Sequence, residues 1–215
     1  MTFTEKPIEL KNETLILNNL RAMFWPKQNA LIVSDLHIGK SAHFRRHGIP
    51  VSVDVQRKDL DRLSFLVSHY QAKQLIVVGD LFHAEVNTDM DLFKRWRDKE
   101  TDLEILLIKG NHDRLKAEVY EGFKINCCQD QWDMAPFRFV HEPKLLSDRF
   151  VISGHIHPGV EIKSRGRPRL RLPCFQVSAS QLILPAFSEF TGLATSKVKK
   201  NQIFHAFTET AFFEF

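Results

Sequence analysis

The sequence predicts an α/β fold, with parallel strands and helical crossovers in its first half and a mixed or antiparallel sheet in its second. Three observations carry this. Five short apolar runs each break off into a polar cluster, helical periodicity lies between some of them, and after Gly159 that periodicity disappears. The runs are Ala30-Leu31-Ile32-Val33 before Ser34-Asp35-Leu36-His37, Leu75-Ile76-Val77-Val78 before Gly79-Asp80, and Ile105-Leu106-Leu107-Ile108 before Lys109-Gly110-Asn111-His112-Asp113. Phe137 to Val140 then precedes His141, and Phe150-Val151-Ile152 precedes Ser153-Gly154-His155-Ile156-His157. Short, continuous apolar runs mark strands covered on both faces.

Leu60, Leu63, Leu66, Val67 and Tyr70 recur at helical spacing across Asp54 to Tyr70, and Met90, Phe93 and Trp96 do so across Thr88 to Lys99. Strand, helix and strand in alternation imply parallel pairing. Beyond Gly159, strands are expected at Val160–Lys163, Arg169–Leu172, Phe175–Ala179 and Gln181–Leu184. The Phe-rich stretch Gln202–Phe215 reads as an edge strand or an intersubunit strand, which leaves the oligomeric state open. Trp25, Trp96 and Trp132 are expected in the core. Asp54, Asp59 and Asp61 are expected on a solvated helix face, and Lys197, Lys199 and Lys200 in a surface turn.

The chain's 215 residues, 43% of them apolar and 18 of them Phe, suffice for one large core or two stacked sheets. A single domain over residues 1–215 is the expectation. A net charge of +4 suits an anionic substrate without demanding nucleic acid. Cys127, Cys128 and Cys174 are odd in number and form no CxxC, which argues against a disulfide framework and a zinc ribbon and for free thiols in a reducing cytoplasm. Met1 to Glu9 has no signal-peptide pattern, and no apolar stretch approaches 18 residues, so no membrane span is expected.

Functional residues of open α/β sheets gather beyond the carboxyl ends of strands. Here those positions hold Asp35, His37, Asp80, Asn111, His112, His141, His155 and His157. Carboxylate, imidazole and amide oxygen without thiolate make a borderline-hard donor set for Mn²⁺, Fe or Zn²⁺. In Asp35-Leu36-His37 and His155-Ile156-His157 two donors flank one apolar residue. On an extended backbone both would point into one pocket while the middle residue packs beneath. Gly79, Gly110 and Gly154 would let the chain leave its strands sharply and approach ions closely.

The ordered series DLH, GDLFH, GNHD, a later lone His and GHIH, spanning Asp35 to His157, resembles the signature of the calcineurin-like metallophosphoesterases. The resemblance implies a four-layer α/β/β/α sandwich of two mixed β-sheets flanked by helices, with two divalent ions at its centre, Mn²⁺ first and Fe or Zn²⁺ as alternatives. The first ion would be held by Asp35, His37, Asp80 and His157. The second would be held by Asp80, Asn111, His141 and His155, with Asp80 bridging. His112 would contact the scissile phosphate and assist the leaving group, and Asp113 would orient His112. The implied reaction is hydrolysis of a phosphate ester by a two-metal-activated hydroxide. His83 would support a ligand, touch substrate or serve as a buried structural histidine, and Arg45 and Arg46, in a basic patch with His43 and His47, would position a substrate phosphate or meet DNA.

A narrower resemblance rests on Asp35-Leu36-His37-Ile38-Gly39-Lys40, Phe44-Arg45, Gly48-Ile49-Pro50, Arg171-Leu172-Pro173-Cys174-Phe175, Leu184-Pro185-Ala186-Phe187 and Phe190-Thr191-Gly192. These look like the ligase-associated DNA-damage-response endonucleases, with departures at Ala84, Ser188 and Leu193. That subgroup implies DNA as substrate and association with a DNA ligase, helicase or exonuclease system. Lys163, Arg165, Arg167, Arg169 and Arg171 around Gly166 read as a basic hairpin tip that serves DNA or merely solubility. A phosphomonoesterase for nucleotides or phosphoproteins is the alternative activity, and a non-catalytic metal-binding scaffold the alternative class.

Overall fold

The computed structural model describes residues 2–83, 87–144, 148–163, 168–195 and 201–215. Its first sheet contains β1 (Glu5–Leu10), β2 (Glu13–Asn18), β3 (Met23–Trp25), β4 (Ala30–Val33), β5 (Gln74–Val78), β6 (Glu104–Ile108) and β7 (Ile125–Cys128), adjacent in that order. Strands β1 to β4 run antiparallel, and β4 to β7 run parallel, with Val33 opposite Val77 and Val78 opposite Ile108. The parallel registration brings the ends of β4, β5 and β6 level, so the polar residues that follow them emerge along one edge.

The second sheet is built from β8 (Trp132–Met134), β9 (Phe137–Phe139), β10 (Phe150–Ser153), β11 (Pro158–Ile162), β12 (Leu170–Ser178), β13 (Gln181–Ile183) and β14 (Ala194–Thr195), in the order β14-β11-β12-β13-β10-β9-β8. The hairpin of β15 (Gln202–Phe207) and β16 (Phe212–Glu214) pairs onto β12. Strand β10 lies parallel to β9 and β13, and the other pairs of β8 to β13 are antiparallel, so this sheet is mixed.

Alternate side chains of the parallel strands enter different cores, which is why β4 is apolar throughout and β5 and β6 are apolar at every position after the first. Ile76, Val78 and Ile108 face the second sheet and meet Trp25, Phe137, Phe139, Phe175 and Leu182. Leu75, Val77, Ile105 and Leu107 face outward, under the helices α2 (Asp54–Tyr70), α3 (Asp89–Arg97) and α4 (Ala117–Gly122). A further short helix, α1 (Lys40–Arg46), follows β4 directly. Two mixed sheets with flanking helices are what the sequence resemblance implies. Among the described residues the outer side of the second sheet is closed by its own strands: Val160 of β11 and Leu172 and Cys174 of β12 bury Phe204 and Ala206 of β15. Strand β12 is apolar on both faces, so each face needs a cover.

Several local expectations meet a different arrangement. Trp132 is 38% exposed on β8, at the edge of its sheet, while Trp25 and Trp96 are buried. Asp59 is buried on the inner face of α2 because Arg62, one turn later, pairs with it at 2.8 Å. Pro173 does not divide its segment, and β12 runs through it as one strand paired to β11. Strand β1 carries no such continuous run, since it alternates exposed and half-buried positions, whereas β2 and β3 hold short apolar runs that no cluster of polar residues marked. Ile162 pairs with Leu170, which makes the basic stretch a hairpin, and Lys163, Arg169 and Arg171 surround Glu161, each at 3.4 Å. Its tip, Arg165 to Arg167, lies outside the described residues, as do Ala84, Lys197, Lys199 and Lys200. No described helix is long and apolar enough to cross a membrane.

Candidate metal centre

The strand-end residues converge on the seam between the sheets. Asp35 and His37 follow β4, Asp80 follows β5 and Asn111 follows β6, while His141 follows β9 and His155 and His157 follow β10. They form two groups whose donor atoms lie within 4.8 Å of one another: Asp35, His37 and His157, and Asp80, His141 and His155. Each group draws on both sheets. The groups adjoin, because the Asp35 carboxylate, 3.2 Å from His157 Nε2, also accepts the His155 N–H at 3.0 Å.

The backbone at these donors is not extended. Asp35, His37, Asp80, His155 and His157 have φ of 56°, 49°, 53°, 69° and 53°. The left-handed region is uncommon for side chains other than glycine and costs about 1–3 kcal/mol per residue. Backbone hydrogen bonds hold it in place: Asp35 N–H to the Gly79 carbonyl (3.0 Å), His37 N–H to the Asp80 carbonyl (2.9 Å) and Gly154 N–H to the His141 carbonyl (3.1 Å). The donors two residues apart therefore owe their aim to tight turns rather than to strand alternation. In the second pair they divide, His157 joining Asp35 and His155 joining Asp80. The middle residues differ as well: Leu36 is buried, but Ile156 is 39% exposed.

His141 explains why a cation suits this place. Its Nδ1 lies 3.1 Å from the Val78 carbonyl, an acceptor that fixes the ring N–H on that side. Its Nε2 then faces Asn111 Oδ1 at 3.1 Å, His155 Nδ1 at 3.1 Å and Asp80 Oδ2 at 3.4 Å. Four lone-pair donors turned on one another need a positive charge between them. Without a metal a proton supplies it: burial works against charge on His141, yet its hydrogen bond to Asp80 prevails and lifts the ring to about 9. In the other group, both ring nitrogens of His37 and Asp35 Oδ1 are buried without a hydrogen bond, and burial pushes His37 down to about 3. Neutral imidazole, ionised carboxylate and amide oxygen fit divalent ions of the Mn, Fe and Zn type.

Two glycines make the convergence possible. A Cβ at Gly79, where φ is +85°, would overlap the His141 ring, and one at Gly110 would overlap the Asp80 carboxylate.

The remaining site residues surround this centre. The His112 N–H donates to Asp80 Oδ1 at 2.9 Å, and its half-exposed ring lies 5.4 Å from that of His37 and stacks on His83 at 4.9 Å. Asp113 does not orient the His112 ring. Its carboxylate accepts the backbone N–H groups of Gly110 (2.9 Å), Phe82 (3.0 Å) and Leu81 (3.4 Å), so it ties the loop after β6 to the loop after β5. His83 is pushed down to about 4 by burial and by the neighbouring His112, His43 and Lys40. Arg45 does not offer its charge to a substrate, because it bonds Asp89 Oδ1 at 2.7 Å and the Val51 carbonyl at 3.4 Å. Arg46 lies exposed on α1. Two positions escaped the sequence reading. Asp89 anchors α1 by also accepting the Ala42 N–H, and only its place at the start of a helical pattern marked it. Lys40 stands half-buried beside the centre, signalled by its position three residues after His37.

A family model described as calcineurin-like phosphoesterase matches residues 29–170. The crystal structure of the Pseudomonas putida nuclease MPE superposes with a TM-score of 0.83 at 32% sequence identity, covering 94% of this chain and 96% of that one. Yfce, a phosphoesterase from E. coli, matches at 15% identity with a TM-score of 0.38, over 82% of this chain and 86% of its own. No curated protein sequence matches the chain.

Proposed function

The chain belongs to the calcineurin-like phosphoesterase family, hydrolases of phosphoric ester bonds, and we propose that within it this protein is a two-metal phosphodiesterase that cuts DNA. One observation carries the proposal: two adjoining donor groups, each spanning both sheets, with the half-exposed His112 ring 5.4 Å from that of His37. The first ion would be held by Asp35, His37 and His157 and the second by Asn111, His141 and His155, with Asp80 between them. Divalent ions held there, Mn²⁺ foremost, would supply the Lewis acidity that activates water and neutralises phosphate charge. The protein's own part is positioning. His112, fixed through its N–H to Asp80, offers its ring to a phosphate oxygen and to the departing alkoxide. Asp113 holds the two loops that carry Asp80, Asn111 and His112 at fixed separation. His83 supports His112 by stacking.

DNA as the substrate is supported by the 32% identity to a nuclease over nearly the whole chain and by the net charge of +4. A role in DNA repair beside a ligase system follows from the subgroup resemblance and belongs to the same proposal. The test is to strip the protein with chelator and rebuild it with each cation. It is then offered p-nitrophenyl phosphate, bis-p-nitrophenyl phosphate, plasmid and single-stranded DNA. Mn²⁺-dependent cleavage of the diester and the plasmid is expected. Faster release from the monoester, with intact plasmid, would replace this reading with a phosphomonoesterase.

A further inference from the structure

Lys40 stands within electrostatic reach of both Asp35 and Asp80, and it acts in turn on the rings of His37 and His83. It opens α1, and its backbone N–H bonds the His37 carbonyl at 3.0 Å, so its place relative to that residue is set by the chain itself. The stem is steadied as well. Its Nζ lies 5.9 Å from the centre of the Phe190 ring, which packs edge-on against Phe44 at 5.4 Å.

What this ammonium lacks is a counterion. Among the described residues it forms no ion pair and no side-chain hydrogen bond. The buried or half-buried arginines nearby are treated otherwise: Arg45 is held by Asp89, and Arg62 by Asp59 and Glu189. Half-burying a charge without a partner is costly, and ammonium is strongly hydrated. Asp35 and Asp80 relieve this only while they are free. Once they ligate divalent ions, this neighbourhood, where Lys40, His43 and His112 all act on His83, is short of negative charge. The missing anion has the chemistry of the substrate.

We propose that Lys40 is a substrate-binding residue, its ammonium donating to a non-bridging oxygen of the phosphate on the Asp35–His37 side of the centre. This deepens the function proposed above and rests on it for the identity of the anion. Lysine suits the task because a compact point charge on a flexible stem follows a phosphate oxygen without the fixed fork of arginine. Since the contact is to the phosphate rather than to the leaving group, it serves monoester, diester and product alike.

The experiment compares the Mn²⁺-loaded wild type with Lys40→Met and Lys40→Arg. Three quantities are measured: bound metal by elemental analysis, inorganic phosphate affinity by isothermal titration calorimetry, and hydrolysis of bis-p-nitrophenyl phosphate. Removing a charge-assisted hydrogen bond worth about 1.5–3 kcal/mol should weaken phosphate binding in Lys40→Met by about 10- to 100-fold, with metal content unchanged. The value of kcat/KM should fall by the same factor, and Lys40→Arg should restore most of both. Wild-type phosphate affinity in Lys40→Met would overturn the proposal. So would loss of the ions, which would make Lys40 a structural support of the metal groups. If the wild type cleaves no ester yet Lys40→Met still loses phosphate, the proposed function fails and the assignment of Lys40 stands.

Discussion

Asp35, His37, Asp80, His155 and His157 show how far single residues can be forced when their neighbours over-determine them. All five are left-handed, and each is set by hydrogen bonds that reach the loop of another strand or by a glycine that makes room. Gly79 has the least freedom of these, with φ at +85° and the His141 ring where its Cβ would stand. Gly79→Ala is expected to displace His141 and lower bound metal from two ions toward one. Elemental analysis would read that change beside an unaltered far-ultraviolet circular dichroism spectrum, and a full complement of two ions would refute it. His112 is the contrasting case. Among the described residues its ring joins neither metal group and forms no hydrogen bond; it is held by stacking on His83 and through its backbone N–H to Asp80. His112→Ala should therefore keep both ions and lose turnover by roughly 10²- to 10⁴-fold, the ordinary worth of a positioned acid. Retained turnover, or metal lost with it, would contradict the role.

At the scale of elements, the centre depends on loops whose backbone bonds to one another are supplemented by buried charges. Asp113 gathers three backbone N–H groups from two loops. Asp113→Ala would orphan them, at about 1–3 kcal/mol for each buried donor left unmet. Lower stability and lower metal affinity are expected together, measured by urea unfolding and metal titration. Loss of activity with neither change would instead place Asp113 in the chemistry. Helix α2 is fastened in the same manner. Arg62 bonds Asp59 at 2.8 Å, Glu189 at 2.6 Å and the Phe187 carbonyl, which joins the helix to the segment whose Ser188 N–H reaches the Asp35 carbonyl. Arg62→Ala leaves the Asp59 carboxylate buried without its partner, where burial already raises its pKa, and should cost about 3–5 kcal/mol. A loss below 1 kcal/mol in chemical denaturation would mean that solvent reaches Asp59.

At the scale of the molecule, the two sheets meet through an apolar interface, and at one edge of it through the donor groups. Asp35, Asp80 and Asn111 come from the first sheet and His141, His155 and His157 from the second, so a cation bound there fastens one sheet to the other. Removing it should loosen that edge first. Chelation is expected to lower the unfolding temperature, since a ligand at a hundred times its Kd stabilises by about 2.7 kcal/mol per site. Hydrogen exchange should rise in the loops after β4, β5 and β10 before it rises in the strands. Identical melting with and without chelator would show that the apolar interface alone holds the sheets.

The sequence by itself determined which strands are buried and where the chemistry sits. Strands β4, β5, β6 and β10 were legible because a strand covered on both faces is apolar along nearly its whole length, β9 was legible from Phe137 and Phe139 despite the Arg138 between them, and the polar residues after each run had no place in a core. Helices α2 and α3 were legible from their period. Short α1 was not, because it is mostly polar and only Ser41 and Ala42 of it are buried. Tertiary structure alone decided the rest. It divided His155 and His157 between two groups, gave Asp113 to backbone amides and Arg45 to Asp89, buried Asp59, and left Lys40 without an anion. In each case the outcome depends on which loops approach one another. A side chain's partner is set by distances across the fold that no local spacing encodes.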